Sequence, residues 1–228
     1  MRQSYIIKLM PHRSEVIAPF EHYHIFNRGV RKENIFLETD DYIRILFLIL
    51  YLQVPIPFRN IGRFVDLYKK RGYFLPRSEV DEVLENREVE LCAFSLMPNH
   101  YHLLVHELKE NGISSYLQRV QVAYAMYFNK KYRKSGYVFQ GRFQSVHVQR
   151  DRQLSYLSAY IHLNARELKK WKNKEAAYPW SSYQDVVYKN RWGDLLSHSI
   201  YSGQFNSNKE YKKFVETSGA KEWKQEIF

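Results

Sequence analysis

Apolar residues recur along this chain in two rhythms, a period of two that marks strands and a three-and-four spacing that marks helices. His22 to Asn27 alternates and is closed by Arg28-Gly29, predicting a strand, and Asp40 to Leu52 keeps helical spacing behind the start signal Thr39-Asp40-Asp41. Val54-Pro-Ile-Pro ends that helix. The charged stretch that follows predicts two helical pieces, Ile61 to Lys70 and Ser78 to Asn86, and reads as a helical insertion at 54–88. Val89 to Leu96 and His100 to His106 are strand-like and are joined through Met97-Pro98-Asn99 as an antiparallel hairpin. Ser114 or Ser115 caps a long helix carrying Leu117, Val120, Tyr124, Tyr127 and Phe128, which runs to about Arg133 and stops at Ser135-Gly136. Phe143 to Gln149 predicts a fourth strand, and Asp151 caps a helix with Leu154, Leu157, Ile161 and Leu168 on its buried side.

The order β-α-β-β-α-β followed by a helix predicts an α+β, ferredoxin-like fold, a four-stranded antiparallel sheet with one additional C-terminal helix. One domain over 15–175 accounts for it. Residues 176–228 form a polar C-terminal extension with a single helix expected at Lys209 to Glu216.

Composition narrows the function classes. The 228 residues hold 35 Lys+Arg against 24 Asp+Glu, a net charge of +11, which predicts a polyanionic partner. Cys92 is the one cysteine, which excludes an internal disulfide and a thiolate zinc finger and fits a reducing, cytoplasmic setting. The opening Met1-Arg-Gln-Ser-Tyr-Ile-Ile-Lys lacks the apolar region of a secretory leader. The longest apolar run, Ile45 to Leu52, is far short of the roughly 20 residues that cross a bilayer, so it reads as a buried helix rather than a membrane anchor; the charge alone suits nucleic acid or an anionic membrane surface, and its clustering along the chain favours the first, with no membrane partner expected. Between Asn111 and Arg152 stand eight basic residues and one acid, Asp151, interleaved with Tyr137, Phe139 and Gln140. That mixture suits phosphates and stacked, unpaired bases. A solvated lysine face over an aromatic core is the plainer reading of any single member.

Chemistry is concentrated in two places. In Pro98-Asn-His-Tyr-His-Leu-Leu-Val-His106 the strand period puts His100, His102 and His106 on one face, with Cα atoms of the first two roughly 6.5–7 Å apart, close enough for both rings to reach one divalent cation. Hydrogen-bonded, partly buried histidines are the alternative. In Tyr156-Leu-Ser-Ala-Tyr160-Ile-His-Leu-Asn164, Tyr160 and Asn164 are one helical turn, about 6 Å, apart on one face. Two nitrogens and an amide oxygen with open positions suit catalytic Mg²⁺ or Mn²⁺ better than structural zinc.

Four separated motifs, Tyr23-His-Ile-Phe-Asn-Arg-Gly29, Met97-Pro-Asn-His-Tyr-His-Leu-Leu, Phe139-Gln-Gly-Arg-Phe and Tyr160-Ile-His-Leu-Asn, resemble the IS200-like, single-tyrosine HUH transposases. The tail motif Pro179-Trp-Ser-Ser-Tyr183 makes the REP-associated tyrosine transposases the most similar branch. The resemblance spans roughly residues 20 to 185. It implies a ferredoxin-like fold, His100, His102 and Asn164 as metal ligands, and Tyr160 as the nucleophile of a single-stranded DNA endonuclease and strand transferase. Such an enzyme cleaves through a 5′-phosphotyrosine, at hairpin elements, without a nucleotide cofactor, as a monomer or homodimer.

The residues expected at the DNA are Arg28, Lys130, Lys131, Arg133, Lys134, Gln140, Arg142 and Arg150. Two positions depart from the family pattern: Tyr101 fills the middle of the histidine motif, normally a compact aliphatic, and Ala165 stands where Pro is common. His24 is expected to make a structural hydrogen bond, with an approach to DNA as the alternative, Tyr156 to pack or touch DNA, and His106 and His162 to lie outside the ligand set. The rival function is a non-cleaving nucleic-acid-binding protein on the same fold.

Overall fold

Period-two segments pair into one sheet of β1 (His22–Arg28), β2 (Val89–Met97), β3 (His100–Glu107) and β4 (Gln144–Val148), in the order β2-β3-β1-β4 with every neighbouring pair antiparallel. That is the ferredoxin-like order. The structure, a computed structural model, describes residues 17–55, 60–72 and 76–222. The N-terminal segment read for a leader, the outermost residues of the expected domain and extension, and 56–59 and 73–75 of the expected insertion lie outside the described residues.

Helices cover both faces of the sheet. On one face, α1 (Thr39–Tyr51) and α4 (Gly112–Tyr132) bury Ile45, Phe47, Leu117 and Tyr124 against Ile25, Tyr101, Leu103 and Val105, and the insertion helices α2 (Ile61–Arg71) and α3 (Arg77–Asn86) add Phe64 and Val83 to this core. On the other face, α5 (Asp151–His162) joins Leu154, Leu157 and Ile161 to Cys92, Ala93 and Leu104. A bulge between Leu91 and Ala93 turns both Cys92 and Ala93 toward this second core.

Three boundaries differ from expectation. The long helix starts at Gly112 rather than at Ser114 or Ser115, because the buried Glu107 carboxylate accepts the Ile113 N–H at 2.9 Å and Asn111 turns the chain with φ 62°. The tyrosine helix ends at His162 and tightens into a 3-10 turn, Leu163–Glu167, where the Asn164 amide donates to the carbonyls of Tyr160 (3.1 Å) and Ile161 (3.3 Å). The extension forms α6 (Tyr183–Val187), α7 (Ser199–Ser202) and α8 (Asn208–Thr217), where one helix was expected, and buries Tyr183, Tyr201, Tyr211 and Val215 in the second core.

The extension is also tied to the sheet. Leu96 N donates to Trp180 O at 2.9 Å and Ser182 N to Phe94 O at 3.0 Å, so the Pro179-Trp-Ser-Ser motif covers the outer edge of β2. His162, fully buried, bridges Ser182 Oγ (2.8 Å) and the Tyr211 hydroxyl (2.7 Å), which fastens α6 and α8 to α5. Among the described residues no helix is long and apolar enough to cross a membrane.

Lys131 needs a correction. Its ammonium lies 2.8 Å from Asp41 and 3.2 Å from Glu38, so it is committed to the protein rather than presented to DNA. The fully buried Asp41 carboxylate also accepts the N–H groups of Leu37 (2.8 Å) and Glu38 (3.0 Å) and the hydroxyls of Tyr127 (3.0 Å) and Tyr132 (2.7 Å). Burial alone raises its pKa, but the hydrogen bonds from Lys131, Tyr132 and the two backbone groups prevail and hold it below the usual value. The start of α1 is thereby tied to the end of α4. Asp41→Ala removes the nearer of the two carboxylates on Lys131 and the shared acceptor of Tyr127, Tyr132 and two backbone N–H groups, and is expected to cost about 3 kcal/mol in urea unfolding at pH 7. Because the folded pKa is depressed, this contribution is complete above the unfolded value near 3.9 and fades as pH falls through the folded one. Asp41→Asn should therefore flatten the acid limb of the stability curve.

Candidate active site

β3 carries the centre of the site. His100 and His102 project from one face with ring centroids 5.1 Å apart and planes at 87°. The Asn99 Nδ2 donates to Lys32 O at 3.1 Å, which turns its Oδ1 toward His100 Nδ1 at 2.7 Å. His100 Nδ1 is therefore the protonated nitrogen, and its Nε2 carries the lone pair. His102 Nδ1 pairs with His24 Nε2 at 2.9 Å, the structural hydrogen bond expected of His24. In the tautomer where His102 donates, its Nε2 also presents a lone pair.

Electrostatics keep both rings neutral. Burial lowers the His100 pKa, helped by the positive charges of Lys221 and Arg28 and opposed by Glu167. The His102 pKa falls well below the usual value through burial, then through His24, His100 and Lys221.

Tyr160, 5% exposed, stands edge-on to His102 with centroids 5.7 Å apart and to His24 at 6.0 Å. Burial, then the negative charge of Glu167, pushes its pKa up to about 12, so the phenol is protonated at neutral pH. The helical spacing expected to bring Asn164 beside Tyr160 does so, but the Asn164 Oδ1 accepts from Lys221 Nζ at 2.8 Å. Lys221 Nζ also bonds Glu167 Oε1 at 2.8 Å and lies 4.3 Å from the centre of the Tyr160 ring. Tyr156, by contrast, packs on Phe214 with ring centroids 5.2 Å apart.

Before the histidine pair opens a cleft of about 640 Å³, lined by His100 and His102 with Arg28, Gln140, Arg142 and Glu167 among its walls. Arg28 Nε donates to Gln140 Oε1 at 2.6 Å while Gln140 N donates to Arg28 O at 2.8 Å, which fastens the end of β1 to the Phe139-Gln-Gly-Arg turn. Of the residues expected at DNA, Arg28, Gln140 and Arg142 line this cleft. Lys130 and Arg133 are exposed at the end of α4, Lys134 lies over the Phe128 ring at 5.6 Å, and Arg150 precedes α5.

The histidine pair fits a divalent cation: both rings are neutral, and both are oriented through Nδ1, as ligands with a fixed Nε2 require. Asn164 is engaged by Lys221 instead. Among the described residues no three His, Cys, Asp or Glu side chains are grouped to hold a metal. Sequence reasoning missed Asn99, Glu167 and Lys221. Glu167 continues the Tyr160–Asn164 spacing by three residues and was accessible to that logic, whereas Lys221 carries no local signal.

A ferredoxin-like domain presenting a histidine pair and a tyrosine beside a basic cleft is the class that fold and site define. Residues 73–164, which hold all three of those side chains, match the family described as "Transposase IS200 like". A solved structure described as "Structure of the REP associates tyrosine transposase bound to a REP hairpin" is similar at a TM-score of 0.51 and 15% identity, covering 84% of this chain and 96% of that one. That likeness speaks for the fold. No curated protein matches the chain.

The burial of His102 leads to a measurable outcome. Titration of the histidine rings by nitrogen-correlated NMR is expected to place the His102 midpoint well below the usual histidine value near 6.5, with His102 still neutral at pH 6. A midpoint at or above 6.5 would contradict the described packing.

Proposed function

We propose that this chain is a metal-dependent, single-stranded DNA endonuclease and strand transferase in which Tyr160 is the nucleophile. The observation that carries the reading is the Tyr160 ring standing edge-on to His102, 5.7 Å away, behind a cleft walled by Arg28 and Arg142. The family match over 73–164 supports it. The partner, single-stranded or hairpin DNA, is suggested by the REP hairpin bound in the similar structure and by the basic walls of the cleft.

In this reading Arg28 and Arg142 hold the phosphodiester backbone, and Gln140, positioned by Arg28, faces the same strand. The Tyr160 oxygen attacks phosphorus, forming the tyrosyl P–O bond as the bond to the 3′-oxygen breaks; the phenolic proton is lost and the departing oxygen ends as a 3′-hydroxyl. The product is a 5′-phosphotyrosine, and attack by another 3′-hydroxyl reverses the step and joins new ends, so no nucleotide cofactor is needed. A protonated phenol with its pKa near 12 is a weak nucleophile, so the reaction depends on charge stabilisation at the phosphate. Held by His100 and His102, Mg²⁺ or Mn²⁺ would supply that stabilisation as a Lewis acid. His24 and Asn99 keep the two imidazoles aimed.

Purified protein with Mn²⁺ or Mg²⁺ is expected to form an SDS-resistant adduct with a labelled hairpin oligonucleotide. Tyr160→Phe should reduce the adduct to background while Tyr156→Phe retains it. Salt-sensitive binding with no adduct under either metal would favour the non-cleaving rival, and an adduct that follows Tyr156 would overturn the assignment of the nucleophile.

A further inference from the structure

Lys221 comes from the far end of the chain, yet its ammonium is held inside the site. α8 ends at Thr217, Gly219 turns with φ 64°, and Ala220, fully buried in the second core, fixes the backbone from which Lys221 departs. The side chain is 16% exposed. Its Nζ satisfies Asn164 Oδ1 and Glu167 Oε1, each at 2.8 Å, and sits on the face of the Tyr160 ring. Its positive charge reaches both His100 and His102, lowering the pKa of each.

With its amide nitrogen on the carbonyls of Tyr160 and Ile161, Asn164 has only Oδ1 to offer a metal ion, and the Lys221 ammonium already sits on that oxygen. Two cations also repel across so short a span. We propose that Lys221 is a positioning residue of this site that competes with the divalent cation for Asn164, so that loading the histidine pair and releasing Lys221 are one exchange. Glu167 holds the ammonium in place before the exchange. The inference rests on the reading of His100 and His102 as cation ligands. Lys221 is thereby a determinant of cation affinity: a site whose competent state is only partly populated binds its ligand more weakly by that fraction.

The test is Mn²⁺ binding to the full chain without DNA, read from the electron paramagnetic resonance of free Mn²⁺. Lys221→Met keeps the apolar stem and removes the charge, and it is expected to tighten binding roughly tenfold. Lys221→Arg, which keeps the charge, should stay near the wild-type affinity. A purely structural lysine predicts the opposite sign, since loosening the site weakens binding. Adding Asn164→Ala to Lys221→Met should abolish the gain. Unchanged or weaker binding in Lys221→Met, equal tightening in Lys221→Arg, or a gain that survives Asn164→Ala each overturns the proposal. His100→Ala with His102→Ala separates the two levels. Binding that this pair abolishes but Lys221→Met leaves unchanged defeats the competition alone; absence of Mn²⁺ binding in every variant defeats the ligand reading and the competition together.

Discussion

The site depends on the register of β1 against β3. Phe26 lies opposite His102 and Arg28 opposite His100, which brings His24 diagonally onto His102 and delivers Arg28 to the mouth of the cleft. Side chains alternate with a period of two, so a slip of one residue would turn His100 and His102 into the core of α1 and α4 and Tyr101 and Leu103 toward α5. Both faces are filled by different residues, with Tyr101, Leu103 and Val105 on one and Leu104 on the other. The register is therefore enforced by burial on two sides. It also makes room for Tyr101, which faces away from the histidines and packs on the α4 side, where its hydroxyl accepts from Gln121 Nε2 at 2.6 Å.

A second constraint acts on the tyrosine helix. His162 lies two residues after Tyr160, fully buried, with one ring nitrogen on Ser182 and the other on Tyr211. Burial pushes its pKa down to about 3, so this link stays neutral across the physiological range. The extension is thus part of what holds Tyr160 against β3, and the same extension carries Lys221 into the site. Its sequence motif, Pro179-Trp-Ser-Ser-Tyr183, serves as an edge cover for β2 and as the Ser182 anchor of His162.

Much of this was readable from the chain. The four strands and the long helices follow from periodicity, because each is long enough for its apolar stripe to be distinct. His-x-His on a strand and Tyr–Asn at one-turn spacing place their side chains by local geometry, and that geometry holds. What escaped was decided at long range. Lys131 looks like its neighbour Lys130, and only the fold of α1 against α4 brings Asp41 to it. The extension is built from short helices and turns whose buried residues, such as Trp192, Leu195 and Tyr201, are too scattered to form a period. Lys221 meets Asn164 across 57 positions of sequence, a pairing with no trace in either segment.

The local charge balance then follows from burial. The two imidazoles are neutral, the phenol keeps its proton, and Arg28, Lys32 and Arg142 leave the cleft positive, with Glu167 as the opposing carboxylate. A phosphodiester strand would be drawn to that field, but its own negative charge would make a nearby phenol still harder to ionise. In the proposed function it is the charge of the bound strand, not the arginines that would hold it, that opposes ionisation of the nucleophile. In the proposed function a cation held by the histidine pair would relieve that opposition, and the identity of the positive charge beside Asn164, whether ammonium or metal, would then matter more to this site than the +11 carried by the chain as a whole.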